Sequence, residues 1–285
     1  CNHMEKTPAK IELGHGPKLD FLANKFPSVF CGKVMGISDE PATIELTPDA
    51  KPTSIGAFRD IPEAYKEPLK RELDVQVAQG ILEKVDQAER SGWLHPIVVV
   101  PKKGTSDVRL CVDFRKLNLF CLRPSNPQPT PWEIIRRLPK GATWFGVFDA
   151  LKGYHQVPLD EESKAKTTFF TPFGKYRYRC LPMGYAASQD IFTDRFGRAV
   201  DHVVDARATE DCLIYAFSKK EFYEKVERFF EACRKSNITL NAKKIQIGSE
   251  VIFAGFKLDS NGYQIDPSLV QALKAFPVPT STTDV

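Results

Sequence analysis

Three acidic residues stand at the ends of two apolar stretches of the chain. Asp149 follows the run 143–148, and Glu210 and Asp211 precede the run 212–215. If the two runs form neighbouring strands, the three carboxylates converge. Mg²⁺ and Mn²⁺ prefer hard oxygen ligands and are usually held by a few carboxylates together with substrate phosphates. A site of this kind would suit phosphoryl transfer with two metal ions.

The acidic doublet alone does not distinguish a metal site from a solvated turn, because acidic residues are also common in turns. Basic residues elsewhere favour the first interpretation. Lys102, Lys103 and Arg109 belong to one predicted hairpin and could neutralise a triphosphate. Lys243 or Lys244 could approach from another side. An ordinary solvated turn is the alternative for the first lysine pair.

Hydrophobic periodicity predicts the elements that hold these residues. The spacing of Leu69, Leu73, Val77 and Ile81 predicts a long amphipathic helix over 63–82, kinked at Pro68. Further helices are predicted over 132–138, 186–200, 220–235 and from Asp266-Pro267 onward, strands over 95–100, 108–113 and 143–148, a hairpin around 172–174, and a strand pair that begins with the run 251–256. Strands and helices interleave without a strict βαβ repeat, which predicts an α+β fold with mostly antiparallel sheet.

Composition narrows the class of protein. A length of 285 residues favours two or three packed subdomains over one core. The hydrophobic fraction of 42% argues against a disordered chain. The net charge of +4 only weakly favours polyanionic binding partners. Seven cysteines without a CxxC pair suggest free thiols in a reducing, intracellular compartment. No apolar run approaches the ~20 residues of a membrane span.

Seven motifs follow one another between Ile61 and Val285: GWLHPIVVVPKKG, VRLCVDFRKLN, VFDALKGYHQV, KTTFFTPFGKYRYRCLPMGYAAS, EDCLIY, ITLNAKK and FAGFKLDSNGYQIDP. In this order and spacing they resemble the reverse transcriptase domain of gypsy-class long-terminal-repeat retrotransposons. The resemblance implies a right-hand polymerase fold with a mostly antiparallel palm sheet. It implies a lead-in segment at 1–60, fingers at 61–142 and 157–183, palm at 143–156 and 184–255, and the start of a thumb or connection at 256–285.

The resemblance also implies roles for individual residues. Asp149, Glu210 and Asp211 match the catalytic carboxylates that hold Mg²⁺, with Mn²⁺ as a substitute. Tyr154 matches the aromatic gate that excludes a ribose 2′-hydroxyl. The other residues implied in deoxynucleotide binding are Lys102, Lys103, Arg109, Gly153, Met183, Gly184, Lys243 and Lys244, and those implied in gripping the primer are Phe253, Gly255 and Phe256.

The chain departs from the family pattern at the doublet. The usual sequence is Asp-Asp with an aromatic residue two positions earlier, whereas here it is Ala208-Thr209-Glu210-Asp211. Glu210 is longer by one methylene, and a displacement of about 1 Å can cost on the order of 10²-fold in rate. The stretch 205–209 is also more polar than a palm strand should be. Two functions therefore stay open: an RNA-directed DNA polymerase, or a catalytically impaired or domesticated nucleic-acid-binding remnant.

The polymerase interpretation implies a primer with an RNA or DNA template, deoxynucleotides, and no membrane. The chain begins at Cys1 and ends in PTSTTDV, so it looks like part of a longer Pol polyprotein with ribonuclease H and integrase. A cytoplasmic particle or the nucleus is the expected location. His155 is expected to be structural rather than catalytic, and Asp113 is expected to pair with Arg115.

Overall fold

The computed structural model describes residues 24–54, 60–102, 104–124 and 126–275, with the backbone alone at 272 and 273. The strands are β1 (Leu82–Val85), β2 (Ile97–Pro101), β3 (Val108–Val112), β4 (Trp144–Asp149), β5 (Phe169–Thr171), β6 (Gly174–Tyr178), β7 (Ala206–Ala208), β8 (Asp211–Ala216), β9 (Gln246–Gly248), β10 (Val251–Phe253), β11 (Phe256–Asp259) and β12 (Gly262–Ile265). The helices are α1 (Glu63–Ala78), α2 (Arg115–Asn118), α3 (Pro131–Ile135), α4 (Glu161–Lys166), α5 (Ser188–Val200), α6 (Lys219–Lys235) and α7 (Pro267–Lys274), with 3₁₀ turns at Gly153–Gln156 and Ala242–Lys244.

The central sheet has the strand order β7-β8-β4-β9, and every neighbouring pair is antiparallel. Both faces of β4 are covered, which explains why its residues 144–148 are all apolar. Phe148 packs against Phe229 and Phe230 of α6 in the main hydrophobic core, with ring centroids 5.2 and 5.6 Å apart. Phe145 and Val147 face the opposite way, into a second core cluster. The alternation of side chains along the strand therefore fixes which residues share a face.

A second sheet joins segments that are distant in sequence. Strand β6 pairs with β1, so Leu82 lies opposite Tyr178, and its other edge pairs with β5. The predicted hairpin around 172–174 is confirmed, with Gly174 at φ +113°. The predicted hairpin of β2 and β3 is also confirmed and forms a separate two-stranded sheet. Among the described residues, no helix is both long and apolar enough to cross a membrane.

The predicted helix over 63–82 is too long. Helix α1 ends at Ala78, and Gly80 follows in the left-handed region at φ +72°. Ile81 is buried as predicted, but it leads into β1, and Val77 is 38% exposed rather than inward-facing. A glycine that can adopt positive φ ends the helix before the apolar spacing does.

The strand pair predicted from residue 251 onward is confirmed, but its turn falls inside the run 251–256. The chain turns at Ala254 and Gly255, which have φ of 49° and 84°, and Phe253 pairs with Phe256 across the turn. Positive φ at both central residues is what a two-residue hairpin turn requires. Strands β10, β11 and β12 form one antiparallel sheet, so the expected subdomain boundary at 255/256 falls inside a hairpin.

The described part of the expected lead-in segment packs against the rest of the protein. The Ile37 amide donates to the Gln156 carbonyl at 2.6 Å, and isolated bridges join Ala42 to Leu159 and Leu46 to Cys121. The side chains buried in the main core from this segment are Phe26, Val29, Phe30, Ile37, Ala42 and Ile44. Only the run 42–46 in this segment has a strand period, and it places Ala42 and Ile44 inward; the other core residues of the segment belong to no helical or strand pattern.

Gly146 in β4 offers a test of this packing. A Cβ added there would lie 2.8 Å from a ring carbon of Phe148 and 2.9 Å from one of Phe222. Gly248, in β9 of the same sheet, would place its Cβ no closer than 3.5 Å to any neighbour. We expect Gly146→Ala to lower the free energy of unfolding by about 1–3 kcal/mol and Gly248→Ala to change it by about 0.5 kcal/mol or less. Urea unfolding of the two variants checks this, and equal stability would contradict the packing described.

Candidate active site

The register of the central sheet brings the predicted carboxylates together. Asp149, the last residue of β4, lies directly opposite Asp211, the first residue of β8. The Ala150 amide donates to the Glu210 carbonyl at 3.2 Å, which holds the doublet against β4. Asp149 is only 5% exposed. Asp149 and Asp211, which are 62 positions apart in the sequence, thus share one end of the sheet.

The interpretation of the doublet as a turn is correct in part, and its interpretation as a metal site stays a prediction. Thr209 and Glu210 form the two-residue turn between β7 and β8, since Ala208 lies opposite Asp211. Thr209 has φ +54°, a conformation that a β-branched residue rarely adopts. Such strain costs roughly 1–3 kcal/mol and persists only where the surrounding structure enforces it. The turn is therefore a constrained one, and the carboxylate of its second residue, Glu210, lies beside Gly153.

The carboxylates repel one another. Burial, and next the charge of Asp149, raise the pKa of Asp211 to about 6. The same two causes raise the pKa of Glu210. The Lys244 ammonium donates to Asp149 Oδ2 at 2.9 Å, and this hydrogen bond raises the pKa of Lys244. One lysine faces three carboxylates, so negative charge is left only partly compensated.

The donor chemistry of these side chains fits Mg²⁺ or Mn²⁺, which favour carboxylate oxygens. The uncompensated charge on Glu210 and Asp211 also fits a cation. The arrangement is not preformed, however: within the described ranges no three acidic, histidine or cysteine side chains are grouped closely enough to hold a metal. The Lys244 ammonium pairs with Asp149 instead. A divalent ion that binds Asp149 through Oδ2 would have to displace this lysine.

Gly153 and Tyr154 lie beside the doublet. Gly153 is buried, and a Cβ there would be 3.0 Å from Glu210 Oε2 and 2.9 Å from the Phe192 ring, so only glycine fits without a shift. The Tyr154 ring packs edge-on against Phe192 with centroids 5.7 Å apart. Burial and the charge of Glu210 raise the pKa of the Tyr154 hydroxyl. Both residues are therefore close to the carboxylates, as the nucleotide-binding prediction requires.

The described basic residues of the β2–β3 hairpin do not pair with the three carboxylates. Lys102 Nζ lies 3.3 Å from Glu72 Oε2, and Arg109 is exposed on β3 and forms no ion pair with any described residue. Lys103 lies outside the described residues. Lys152 joins this group: burial, and the charge of Lys102, lower the pKa of its ammonium, which donates to Gln79 at 2.6 Å. Sequence reasoning missed Lys152, although it lies between Asp149 and Tyr154.

His155 is a structural residue here. Its Nδ1 lies 3.2 Å from the Leu181 carbonyl oxygen, and burial followed by the charge of Lys152 lowers its pKa to about 4. The imidazole is therefore neutral near pH 7.

Arg115 pairs with Asp113 at 2.6 Å, as expected from the sequence.

The Met183–Gly184 loop is held in place by Asn118, which sequence reasoning missed. Asn118 Nδ2 donates to the Gly184 carbonyl at 2.9 Å, and its Oδ1 accepts from the Ala186 amide at 2.9 Å. Gly184 has φ +91°, and Met183 is 60% exposed. The loop is thus fixed in backbone while its methionine side chain faces solvent.

The residues expected to grip the primer lie around the β10–β11 turn. Phe253 is fully buried in the second core cluster, so its side chain does not reach a surface. Gly255 forms the turn, and Phe256 packs with Trp132 and Tyr263 at centroid distances of 6.0 and 6.3 Å. Trp132 and Tyr263 are 48% and 44% exposed. Contact with a primer from here would involve the turn backbone and this aromatic group.

Lys243 is exposed beside Lys244.

The raised pKa of Asp211 gives a stability test. Because its folded pKa of about 6 lies above its usual 3.8, protonation favours the folded state. That contribution is complete below about pH 4 and is lost as the pH rises through about 6. In metal-free buffer at pH 7.5 we expect Asp211→Asn to raise the free energy of unfolding by on the order of 1 kcal/mol, after allowance for solvent screening.

The stability of the variant should also fall less steeply than that of the parent protein between pH 4 and 7.5. Urea unfolding at both pH values measures this, with Asp107→Asn, at an exposed position in the β2–β3 loop, as control. A less stable Asp211→Asn protein at pH 7.5 would show that the carboxylates do not repel.

Comparison with known proteins agrees with this geometry. The family model described as "Reverse transcriptase (RNA-dependent DNA polymerase)" matches residues 100–258. The retrovirus-related Pol polyprotein from transposon opus of Drosophila melanogaster is 26% identical over 280 residues, which cover 94% of this chain and 27% of that polyprotein. The corresponding polyprotein from transposon gypsy of the same fly is 30% identical over 217 residues, covering 72% and 20%. The chain therefore spans less than a third of either relative.

Solved structures show the same fold. The foamy viral protease-reverse transcriptase in complex with an RNA/DNA hybrid superposes with a TM-score of 0.82 at 19% identity, covering 93% of this chain and 36% of that one. The complex of that protein with dsDNA gives the same TM-score and covers 93% and 55%. The antiparallel central sheet and the helices around it are thus those of a right-hand polymerase. Since the family model matches more than half of its length, this chain belongs to the reverse transcriptase family found in retrotransposon and retroviral Pol polyproteins.

Proposed function

We propose that this chain is an RNA-directed DNA polymerase that adds deoxynucleotides to the 3′ end of a primer on an RNA or DNA template. The observation that carries the proposal is the position of Asp149 directly opposite Asp211, with Glu210 in the adjoining turn. Carboxylates gathered at one end of a buried sheet, with an excess of negative charge, suit the binding of divalent cations, which in turn can hold substrate phosphates. Family membership supports the same reaction.

Asp149, Asp211 and Glu210 are the residues that would hold Mg²⁺, or Mn²⁺ in its place. When bound, these ions supply activation of the primer hydroxyl and stabilisation of the leaving oxygen. Lys244 exchanges Asp149 for a triphosphate oxygen, which is the more highly charged acceptor. Lys102, Lys103, Arg109 and Lys243 provide further positive charge for the triphosphate, and Lys152 adds to it. The turn at Gly255 and the side chain of Phe256 contact the primer strand.

The nucleotide sugar would lie against Tyr154, and the Met183–Gly184 loop would lie beneath the template base and the incoming nucleotide. Tyr154 is suited to a gate because its ring is held by Phe192 and lies near Glu210. The loop is suited to a rigid floor because Asn118 fixes its backbone on both sides. These contacts would restrict the position of the nucleotide rather than perform chemistry.

The subdomains follow from the sheets. We assign fingers to 61–142 and 157–183, and their joint sheet of β1, β6 and β5 supports a single unit. We assign the palm to 143–156 and 184–255, which supply all four strands of the central sheet. The thumb or connection would begin near 256, although the shared β10–β12 sheet favours a boundary closer to Val251.

The natural setting is also a proposal. The gypsy class is favoured by the motifs and by the relative from transposon gypsy. In that setting the domain would work within a Pol polyprotein beside ribonuclease H and integrase, in a cytoplasmic particle or in the nucleus. Its partners would be a primed RNA or DNA template and deoxynucleotides.

A nucleic-acid-binding remnant without polymerase activity is the second candidate. It is favoured by Glu210 in place of aspartate, and by the pairing of Lys244 with Asp149 in a site that is not preformed. In that case the protein would bind a primed template but would not extend it.

Primer extension on a homopolymer template with Mg²⁺ or Mn²⁺ separates the two candidates. We expect the parent protein to extend the primer, and Asp149→Asn and Asp211→Asn to lower the rate by on the order of 10²–10³-fold because charge stabilisation is lost. Asp194→Asn, which neutralises an exposed carboxylate on α5, is the matched control and should extend normally. Primer binding without extension by the parent protein would favour the remnant. A gain of up to about 10²-fold in Glu210→Asp would then locate the fault in side-chain length.

The gate is tested by Tyr154→Ala. Removal of the ring opens space for a 2′-hydroxyl, so the ratio of ribonucleotide to deoxynucleotide incorporation should rise by about tenfold or more. Tyr154→Phe keeps the ring and should retain the parent selectivity. Single-nucleotide incorporation with each sugar measures the ratio, and unchanged selectivity in Tyr154→Ala would remove the gate from the mechanism.

A further inference from the structure

Arg207 is a buried cation in the strand that leads to the doublet. It is the middle residue of β7, and its side chain is only 6% exposed. Its Nε lies 2.6 Å from Asp201 Oδ1, and its Nη2 lies 2.9 Å from Asp201 Oδ2. A buried guanidinium requires partners of this kind, because an unpaired buried charge is strongly unfavourable. The unusual polarity of the stretch 205–209 thus has a structural cause.

The third hydrogen bond of Arg207 reaches the turn itself. Its Nη1 donates to the Thr209 carbonyl oxygen at 3.0 Å. The next carbonyl, that of Glu210, accepts from the Ala150 amide at 3.2 Å. Both residues of the turn are therefore held through their carbonyls, one by Arg207 and the other by the chain that follows β4. Thr209 needs such restraint because its φ of +54° is unfavourable for a β-branched residue.

Helix α5 leaves room for this guanidinium. A Cβ at Gly197 would lie 2.4 Å from Arg207 Nη2 and 2.7 Å from Asp201 Oδ2. The guanidinium carbon also lies 5.8 Å from the ring centroid of Phe196, which is fully buried. Glycine is otherwise unfavourable inside a helix. A glycine, an aromatic ring and a carboxylate within six residues thus form one pocket for Arg207.

We propose that Arg207 is a positioning residue for the acidic doublet. It ties the Thr209-Glu210 turn to the end of α5 and thereby fixes Glu210 and Asp211 relative to Asp149. It acts through the turn backbone and not on a substrate. The role in the reaction rests on the proposed polymerase function, whereas the restraint of the turn does not. An ion pair that only stabilises the fold is the competing explanation.

Arg207→Lys is the central variant, because lysine keeps the charge but has no planar fork to bind Asp201 and Thr209 together. We expect kcat for single-nucleotide addition to fall by about 10–100-fold, as for a small displacement of reacting groups. The KM for the deoxynucleotide and the Kd for primed template should stay within about threefold. Arg234→Lys is the matched control, since Arg234 binds Glu231 through the same two nitrogens at 2.9 and 2.6 Å. It should leave kcat unchanged.

Asp201→Asn provides a second variant in case Arg207→Lys folds poorly. The Asp201 side chain is 54% exposed, and asparagine keeps one oxygen that can accept from the guanidinium, so we expect a folded but less stable protein in which one end of the guanidinium is freed. We expect a smaller fall in kcat in the same direction. Full kcat in both variants, with Arg207→Lys folded, would overturn the proposal.

A double-mutant cycle with Thr209→Gly separates positioning from stability. Glycine adopts positive φ without strain, so the turn depends less on the arginine. We therefore expect Arg207→Lys to lower kcat several-fold less in the Thr209→Gly background than in the parent protein. Equal losses in the two backgrounds would mean that the sites are independent and would overturn the proposal.

Hydrogen exchange tests the restraint without any enzyme activity. In Arg207→Lys the amides of Ala150 and Asp211 should exchange at least about tenfold faster, while amides in the middle of β4 stay protected. Faster exchange throughout the sheet, or no change at Ala150, would overturn the inference. If the parent protein fails to extend a primer, the polymerase proposal falls, and this measurement still decides whether Arg207 restrains the turn.

Discussion

The pairing of β4 with β8 is the constraint on which the rest of the structure depends. It sets Asp149 opposite Asp211, and it is specified because both faces of β4 are buried against different clusters. A slip of one residue would turn every side chain of the strand to the wrong face. Because Phe148 packs on α6, the register of β4 is fixed, and this register places Asp149 opposite Asp211. Packing in the core thus fixes the relative position of Asp149 and Asp211.

The same geometry works against stability at the site. Burial and mutual repulsion raise the pKa of Asp211 and Glu210, and Thr209 adopts a strained backbone conformation. Lys244 relieves part of the repulsion by pairing with Asp149. Backbone strain and charge repulsion that a well-packed protein interior keeps in place are typical of functional sites. The compensation comes from neighbours such as Arg207 and Gly153, which accommodate the turn.

Several features of the fold escaped sequence reasoning for one reason: local pattern does not report distant contacts. Apart from the short alternating run 42–46, residues 24–54 lack periodicity, yet they complete the core through isolated contacts. Gly80 ends α1 and Ala254-Gly255 reverses the chain, although the apolar spacing continues through both. Asn118 and Lys152 resemble ordinary surface residues in the sequence. Each became significant only when another segment was folded against it.

The sequence by itself determined the kinds of element, the antiparallel α+β character and the identity of the three carboxylates, because these follow from side-chain period and residue type. Ordered motifs added the family and the roles that it implies. Only the tertiary structure decided that Asp149 lies directly opposite Asp211, that Lys244 forms an ion pair with Asp149, and that Phe253 is buried. It also decided that the polar strand before the doublet carries a buried cation. These facts depend on strand register and on packing between distant segments, which no local sequence pattern encodes.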